Sequence, residues 1–221
     1  MGRVLGVLGG MGPAATVAFL ARVQALTPAE GDADHIRVVM DLNPQVPDRN
    51  TRPGEAEAEL GAMAMRLKAA GAEVLAMPCN TAHAQKPGIL AAGLPFIDMI
   101  AATAAAAKGH DARSIGILAT PGGEALYRAA LEAEGVTPVV LQGEDRAAFM
   151  ACVYGVKRGD VGGDNRAAMV RLAGALAAAG AEAVIAGCTE VPLLLASADV
   201  AVPFVDSAEV LADACVRACI D

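Results

Sequence analysis

The stretch "AGAEVLAMPC", Ala70 to Cys79, returns a little over a hundred residues later as "AGAEAVIAGC", Ala179 to Cys188. Two further segments repeat in the same order. "RVLGVLGGMG" (Arg3 to Gly12) parallels "RSIGILATPG" (Arg113 to Gly122), and "LPFIDM" (Leu94 to Met99) is echoed by "VPFVDS" (Val202 to Ser207). The separations stay near half the chain length throughout. A shared Ala-rich composition does not keep three segments in register, so the repeat points to two lobes of one design.

Within each lobe, short apolar runs alternate with longer Ala- and Leu-rich stretches: "RVLGVLG" then "PAATVAFLARVQAL", "IRVVMDL" then "GEAEAELGAMAMRLKAA", "EVLAMP" then "TAHAQKPGILAA". This alternation is that of βαβ units, with a parallel sheet covered by helices on both faces. The expected fold is α/β: two pseudo-symmetric parallel-sheet lobes, flavodoxin-like or Rossmann-like, with the site between them. The first lobe is expected over residues 1–108 and 207–221, its last helix returning after Asp206, and the second over 109–206, with the boundary at "AAAAKGHDARS".

Bulk properties narrow the function. The 221 residues are 55 % hydrophobic and only 3 % aromatic, enough for one large aliphatic core or two smaller ones. A net charge of −8 with no run of Lys and Arg argues against nucleic acid or an anionic membrane as partner. No apolar run reaches the roughly 18 residues that span a bilayer. The opening "MGRVLGVLGGMGP" turns glycine-rich too early for a signal peptide, so a cytoplasmic location is expected. Five cysteines without a CxxC pair do not form a disulfide framework or a structural zinc site.

Ligands of open parallel sheets bind beyond the carboxyl ends of the strands. Cys79 follows the strand "EVLAMP" and Cys188 follows "AVIAG", each ahead of an expected helix, "TAHAQKPGILAA" and "TEVPLLLA". A thiol at a helix N-terminus has its pKa lowered from about 8.5 toward neutrality, which would make each sulfur a base or nucleophile. If the lobes face each other about a pseudo-twofold axis, the two sulfurs approach one substrate from opposite sides. A carbon acid held there loses its proton to one thiolate and regains one from the other thiol, with inversion. Cys152, Cys215 and Cys219 lie in apolar helical stretches and read as inert core residues.

Five motifs, "GVLGGMGPAAT" (Gly6 to Thr16), "NPQVPDR" (Asn43 to Arg49), "PCNTAH" (Pro78 to His83), "YGVKRG" (Tyr154 to Gly159) and "GCTEVP" (Gly187 to Pro192), together resemble the aspartate/glutamate racemase family. The resemblance runs in order over nearly the whole chain. It implies racemisation of an acidic amino acid, aspartate and/or glutamate, without pyridoxal phosphate, any other cofactor or a metal, by a homodimer in which Cys79 and Cys188 are the paired acid and base. It further implies that the backbone at Met11 lies near substrate, that Asn80, Thr81 and Thr189 hold the α-carboxylate, and that Thr120 takes the first-turn position of the second lobe. Arg49 and Lys157 would pair with a side-chain carboxylate. The second-lobe turn reads "TPGG" (Thr120 to Gly123) where relatives often carry "TxGT", so one substrate-contacting hydroxyl is missing and the range of substrates stays open.

The chemistry sets its own demand. An amino-acid α-proton is far less acidic than a thiol, and no electron sink takes the carbanion's charge. Converging donors must therefore stabilise the aci-carboxylate. His83, a few residues beyond Cys79, is expected to orient the site without exchanging a proton with substrate, and Glu190 after "CT" has the same ambiguity. Other readings remain. "GMGPAA" (Gly10 to Ala15) with Asp41 fits a dinucleotide fingerprint and NAD, though it leaves the repeated cysteines unexplained. On the same fold stand hydantoin racemases, maleate isomerases and arylmalonate decarboxylases, and a non-catalytic binding protein would keep the cleft alone.

Overall fold

The computed structural model describes residues 2–220. Strand β1 (Leu5–Gly9) leads into α1 (Pro13–Leu26), β2 (Val38–Leu42), α2 (Pro53–Ala69), β3 (Val74–Ala76), α3 (Lys86–Leu90), β4 (Phe96–Ile97) and α4 (Met99–Lys108). A second succession comes after it: β5 (Ser114–Leu118), α5 (Pro121–Ala133), β6 (Thr137–Val140), α6 (Gly143–Lys157), α7 (Gly163–Ala178), β7 (Ala183–Ala186), β8 (Phe204–Asp206) and α8 (Ser207–Ile220). The chain divides into two compact units, Met1–Ala102 with Ala208–Asp221, and Thr103–Ser207. The division falls inside α4, which runs unbroken to Lys108, and so lies ahead of the "KGHD" turn where the composition shifts.

In the first unit four parallel strands are ordered β2-β1-β3-β4, with Leu5 paired to Val38 on one side and to Val74 on the other. Strands β1 and β3 are buried along their whole length, whereas β2 and β4 are partly exposed. That burial is why "LGVLG" is continuously apolar instead of alternating. On one face Leu5 and Val7 pack with Phe19 and Val23 of α1 and with Leu211 and Cys215 of α8. On the other, Leu8 and Leu75 pack with Leu60 and Met63 of α2 and Ile89 of α3. Each such fully buried side chain contributes about 1.5–3 kcal/mol.

The second unit repeats the design with the order β6-β5-β7-β8. Leu118 and Val184 pack with Phe149 and Val153 of α6 and with Leu172 and Leu176 of α7. In both sheets the second strand lies on one side of the first and the third on the other. The winding therefore reverses between β1 and β3, and again between β5 and β7. At such a switch point the loops leaving the carboxyl ends diverge and open a crevice.

The segments after the two cysteines depart from expectation. "TAHAQKPGILAA" is not one helix but a 3-10 turn, Thr81–Gln85, followed by the short α3. "TEVPLLLA" yields only a 3-10 turn, Val191–Leu193. Pro87 lacks the N–H that a helix continuing from Thr81 would donate back to His83, so the first 3-10 turn does not run on as one helix, whereas Pro192 sits in the first turn of its own 3-10 segment, where proline is tolerated. Among the described residues no helix is long and apolar enough to cross a membrane.

Candidate active site

The turn after β1 is shaped by glycine. Gly10 has φ +98°, and a Cβ placed there would lie 2.4 Å from the carbonyl carbon of Asn43. Only glycine lets the turn press this closely on the residue just past β2. Thr16 braces it, accepting from the Gly10 N–H at 3.0 Å and donating to the Gly12 carbonyl at 2.9 Å. Met11 is thereby turned inward, 6 % exposed, into the cluster that also holds Cys79 and Val46.

Cys79 stands just past β3, across the switch point from Met11, and is buried. Its N–H donates to the Met77 carbonyl at 2.8 Å, and its carbonyl is 2.9 Å from Nδ1 of His83. Asn80 is buried, its carbonyl accepting the His83 N–H at 3.1 Å, and Thr81 is half-buried at the start of the 3-10 turn. Burial holds the His83 imidazole below its ordinary pKa, so it is neutral. Both ring nitrogens face backbone groups, in line with an orienting role and not a proton-exchanging one.

Arg49 sits on the loop between β2 and α2. Val46 anchors that loop in the core, and Asp48 caps its far end by accepting from the N–H groups of Asn50 and Thr51 at 2.9 and 2.8 Å. The guanidinium Nη1 rests near the carbonyls of Val46 and Pro47 at 3.5 and 3.4 Å. Its Nε is buried without a hydrogen-bond partner among the described residues. A half-buried cation with an orphaned donor is not an ordinary solvated charge. It is suited to a carboxylate.

In the second unit Thr120 takes the N-cap position of α5, just past β5, and Cys188 lies past β7, so they share the matching switch point. A Cβ at Gly123 would stand 3.2 Å from the Gly187 carbonyl and 3.6 Å from Thr120 Oγ1. The "TPGG" turn thus lies directly against the peptide that carries Cys188, with little room for a side chain at Gly123. Cys188, Thr189 and Glu190 are all buried. The Cys188 Sγ donates to Glu190 Oε2 at 2.9 Å. Lys157 ends α6 with its side chain exposed, yet its charge is felt at the Cys188 sulfur.

The expected activation of this thiol by a helix N-terminus is overturned. Burial, then the charge of Glu190 and the hydrogen bond to it, push the Cys188 pKa well above the ordinary thiol value. The Glu190 N–H and Lys157 pull it down by less. A 3-10 turn too short to sum its peptide dipoles cannot reverse that balance. Cys188 is a thiol here, held by a carboxylate.

The first unit therefore gathers Met11, Cys79, Asn80, Thr81 and the Arg49 loop, and the second Thr120, Cys188, Thr189 and Lys157. Cys152, Cys215 and Cys219 are free and buried, with Cys152 Sγ at 3.9 Å from the Asn165 carbonyl and the other two in the core face of α8. Motif reading passes over Thr16 and Asp48, which hold the first turn and the Arg49 loop. The Asp-x-Asn-Thr spacing ahead of Pro53 is the turn signal that marks the second.

Comparison with known proteins fits this geometry. The chain is 32 % identical to a glutamate racemase of Synechococcus over 157 residues, a match covering 68 % of this chain and 56 % of that protein. It is 26 % identical to the broad specificity amino-acid racemase RacX of Bacillus subtilis over 218 residues, covering 95 % of each. The solved aspartate racemase of Picrophilus torridus superposes with a TM-score of 0.83 at 27 % identity, over 98 % of this chain and 94 % of that one. Residues 8–215 match the family Asp/Glu/Hydantoin racemase, and the chain belongs to that family.

Proposed function

We propose that the protein is a cofactor-independent amino-acid racemase in which Cys79 and Cys188 are the two bases, acting on one bound substrate. The observation that carries this is positional. Cys79 and Cys188 occupy the same station, just past the third strand, in two sheets of identical strand order. The racemases to which the chain is similar support the reaction type.

In one direction the Cys79 thiolate removes the Cα proton and the Cys188 thiol delivers its own proton to the opposite face. In the other the roles exchange. The hydrogen bond from Cys188 to Glu190 supports Cys188 as the protonated member of the resting pair. Charge then develops on the α-carboxylate as the aci-carboxylate forms. One preorganised donor for such charge is worth about 3–4 kcal/mol. Asn80, Thr81, Thr120 and Thr189, with the N–H groups beside them and at Met11, are the donors. Arg49 and Lys157 take the side-chain carboxylate, which makes aspartate and glutamate the substrates. Five free cysteines accord with a reducing, cytoplasmic location, and the family resemblance carries a homodimer with it.

The test is incubation with L-aspartate and, separately, L-glutamate under reducing conditions with no added cofactor, followed by chiral chromatography. The D-enantiomer of at least one is expected, and its formation is expected to stop in Cys79→Ser and in Cys188→Ser. Folded protein that produces neither D-acid would overturn the proposal.

A further inference from the structure

The His83 ring is 2 % exposed and lies against Phe96, ring centroids 5.4 Å apart. Its Nε2 receives the Met99 N–H at 3.1 Å, so that nitrogen carries no proton. Its Nδ1 therefore does, and donates to the Cys79 carbonyl at 2.9 Å. One neutral tautomer satisfies both bonds.

These bonds join two places. Cys79 belongs to neither a strand nor a regular helix, so nothing periodic fixes its peptide groups. Its N–H is held by the Met77 carbonyl, and its own carbonyl by His83. With both main-chain groups fixed, the Cα–Cβ direction that aims the sulfur is fixed as well. At the far end, Met99 opens α4, whose first N–H groups have no helical partner. Asp98 Oδ1 accepts from Ile100 and Ala101 at 2.9 and 3.1 Å, and His83 takes the remaining one from Met99. A parallel tie runs from Lys86 Nζ to Asp98 Oδ2 at 2.7 Å.

We propose that His83 is a positioning residue for Cys79: a neutral imidazole fixed as its Nδ1–H tautomer clamps the Cys79 carbonyl to the first N–H of α4 and so aims the sulfur. The proposal rests on the two-base reading in which Cys79 is one of the bases. Protonation would put a second N–H against that of Met99 and break the clamp. The groups facing the ring are Asp98, whose charge favours protonation, and Lys86, whose charge opposes it, with Phe96 apolar beside them. Burial, aided by Lys86, outweighs the hydrogen bond to the Cys79 carbonyl and the charge of Asp98, and holds the pKa below the ordinary imidazole value.

Three variants separate the two bonds. His83→Asn keeps an amide donor near Nδ1, His83→Gln keeps an acceptor near Nε2, and His83→Ala keeps neither. Steady-state racemisation gives kcat and KM, and peptide-resolved alkylation gives the pH profile of the Cys79 thiol without requiring activity. A misplacement of about 1 Å costs on the order of 100-fold in rate. A loss of that size in kcat with little change in KM is therefore expected for His83→Ala, with a shifted Cys79 profile. His83→Asn is expected to retain more activity than His83→Gln and a profile close to the parent's. Equal losses in Asn and Gln, or unchanged kcat and profile in Ala, would overturn the clamp. If His83→Ala does not fold, the Asn and Gln pair decides. Racemisation that survives Cys79→Ser overturns the two-base reading instead, while the alkylation profiles still judge the clamp.

Discussion

The Cys188 thiol donates to the Glu190 carboxylate at 2.9 Å, and both side chains are buried. Burial and a like charge beside the sulfur keep the proton on it, so in the proposed two-base reading Cys188 waits as an acid. When the reaction runs the other way this sulfur must hold the negative charge against Glu190. Replacing Glu190 with Gln removes that charge and leaves only a neutral amide oxygen as acceptor, and the thiol pKa falls. Each unit of fall raises the thiolate fraction about tenfold at a pH below the pKa. Alkylation of Cys188 at pH 8, resolved by peptide mass spectrometry, is expected to quicken. An unchanged rate would mean that burial alone sets the thiol.

Arg49 carries a buried Nε with no partner among the described residues, so truncating it leaves little behind to repair. A hydrogen bond to a charged group contributes about 1.5–3 kcal/mol, equivalent to roughly 10- to 100-fold in affinity. Arg49→Ala should raise KM for an acidic amino acid by that factor and change KM for alanine little. Arg49→Lys should not restore it, since an ammonium lacks the planar fork. Lys157→Ala, on an exposed side chain, should cost less. Equal effects on acidic and neutral substrates would remove Arg49 from side-chain recognition.

Gly10 and Gly71 both have positive φ, +98° and +93°, but only Gly10 faces backbone where a Cβ would go. Strained φ costs about 1–3 kcal/mol. Gly71→Ala should show that cost alone. Gly10→Ala must also displace Asn43, so it should destabilise by more, at about 2–4 °C in Tm per kcal/mol for a chain of this size. Matched melting temperatures for the two variants would contradict the close approach.

His83 makes stability fall on the acid side. Its folded pKa lies below the 6.5 of the unfolded chain, so above that value neither state binds the proton and the group contributes no pH dependence. As pH drops below 6.5 the unfolded chain takes up a proton that the native state refuses, and stability declines. Between pH 7.5 and 5.5 one such group accounts for up to about 1.4 kcal/mol. Urea unfolding of the parent at the two values, set against His83→Gln, should show the variant losing less. The same slope in both would contradict a neutral buried ring.

The legible part of this molecule lies in the repeat and in the strands. "LGVLG" and "AVIA" are fully buried central strands, and their continuous apolar character marks them as such before any contact is known. The placement of Cys79 and Cys188 at strand ends comes from the same pattern. The conformation of the segment after each cysteine is not legible from helical composition: Pro87 interrupts the first, and the second closes after one 3-10 turn. Nor does spacing show where a side chain turns. That Glu190 meets the Cys188 sulfur, that His83 meets two backbone groups, and that Arg49 keeps an orphaned nitrogen all depend on packing around them.

The most direct test of the two-base scheme is the early time course of L-aspartate, or L-glutamate if that is the substrate, in deuterated buffer, with the enantiomers separated and examined for deuterium at Cα. Two bases predict a D-product that carries solvent deuterium while the recovered L-substrate still carries hydrogen, since the proton leaves to one cysteine and the deuteron arrives from the other. Deuterium appearing equally in product and recovered substrate from the first turnovers would mean a single exchanging base, and would contradict the assignment of Cys79 and Cys188 as a pair.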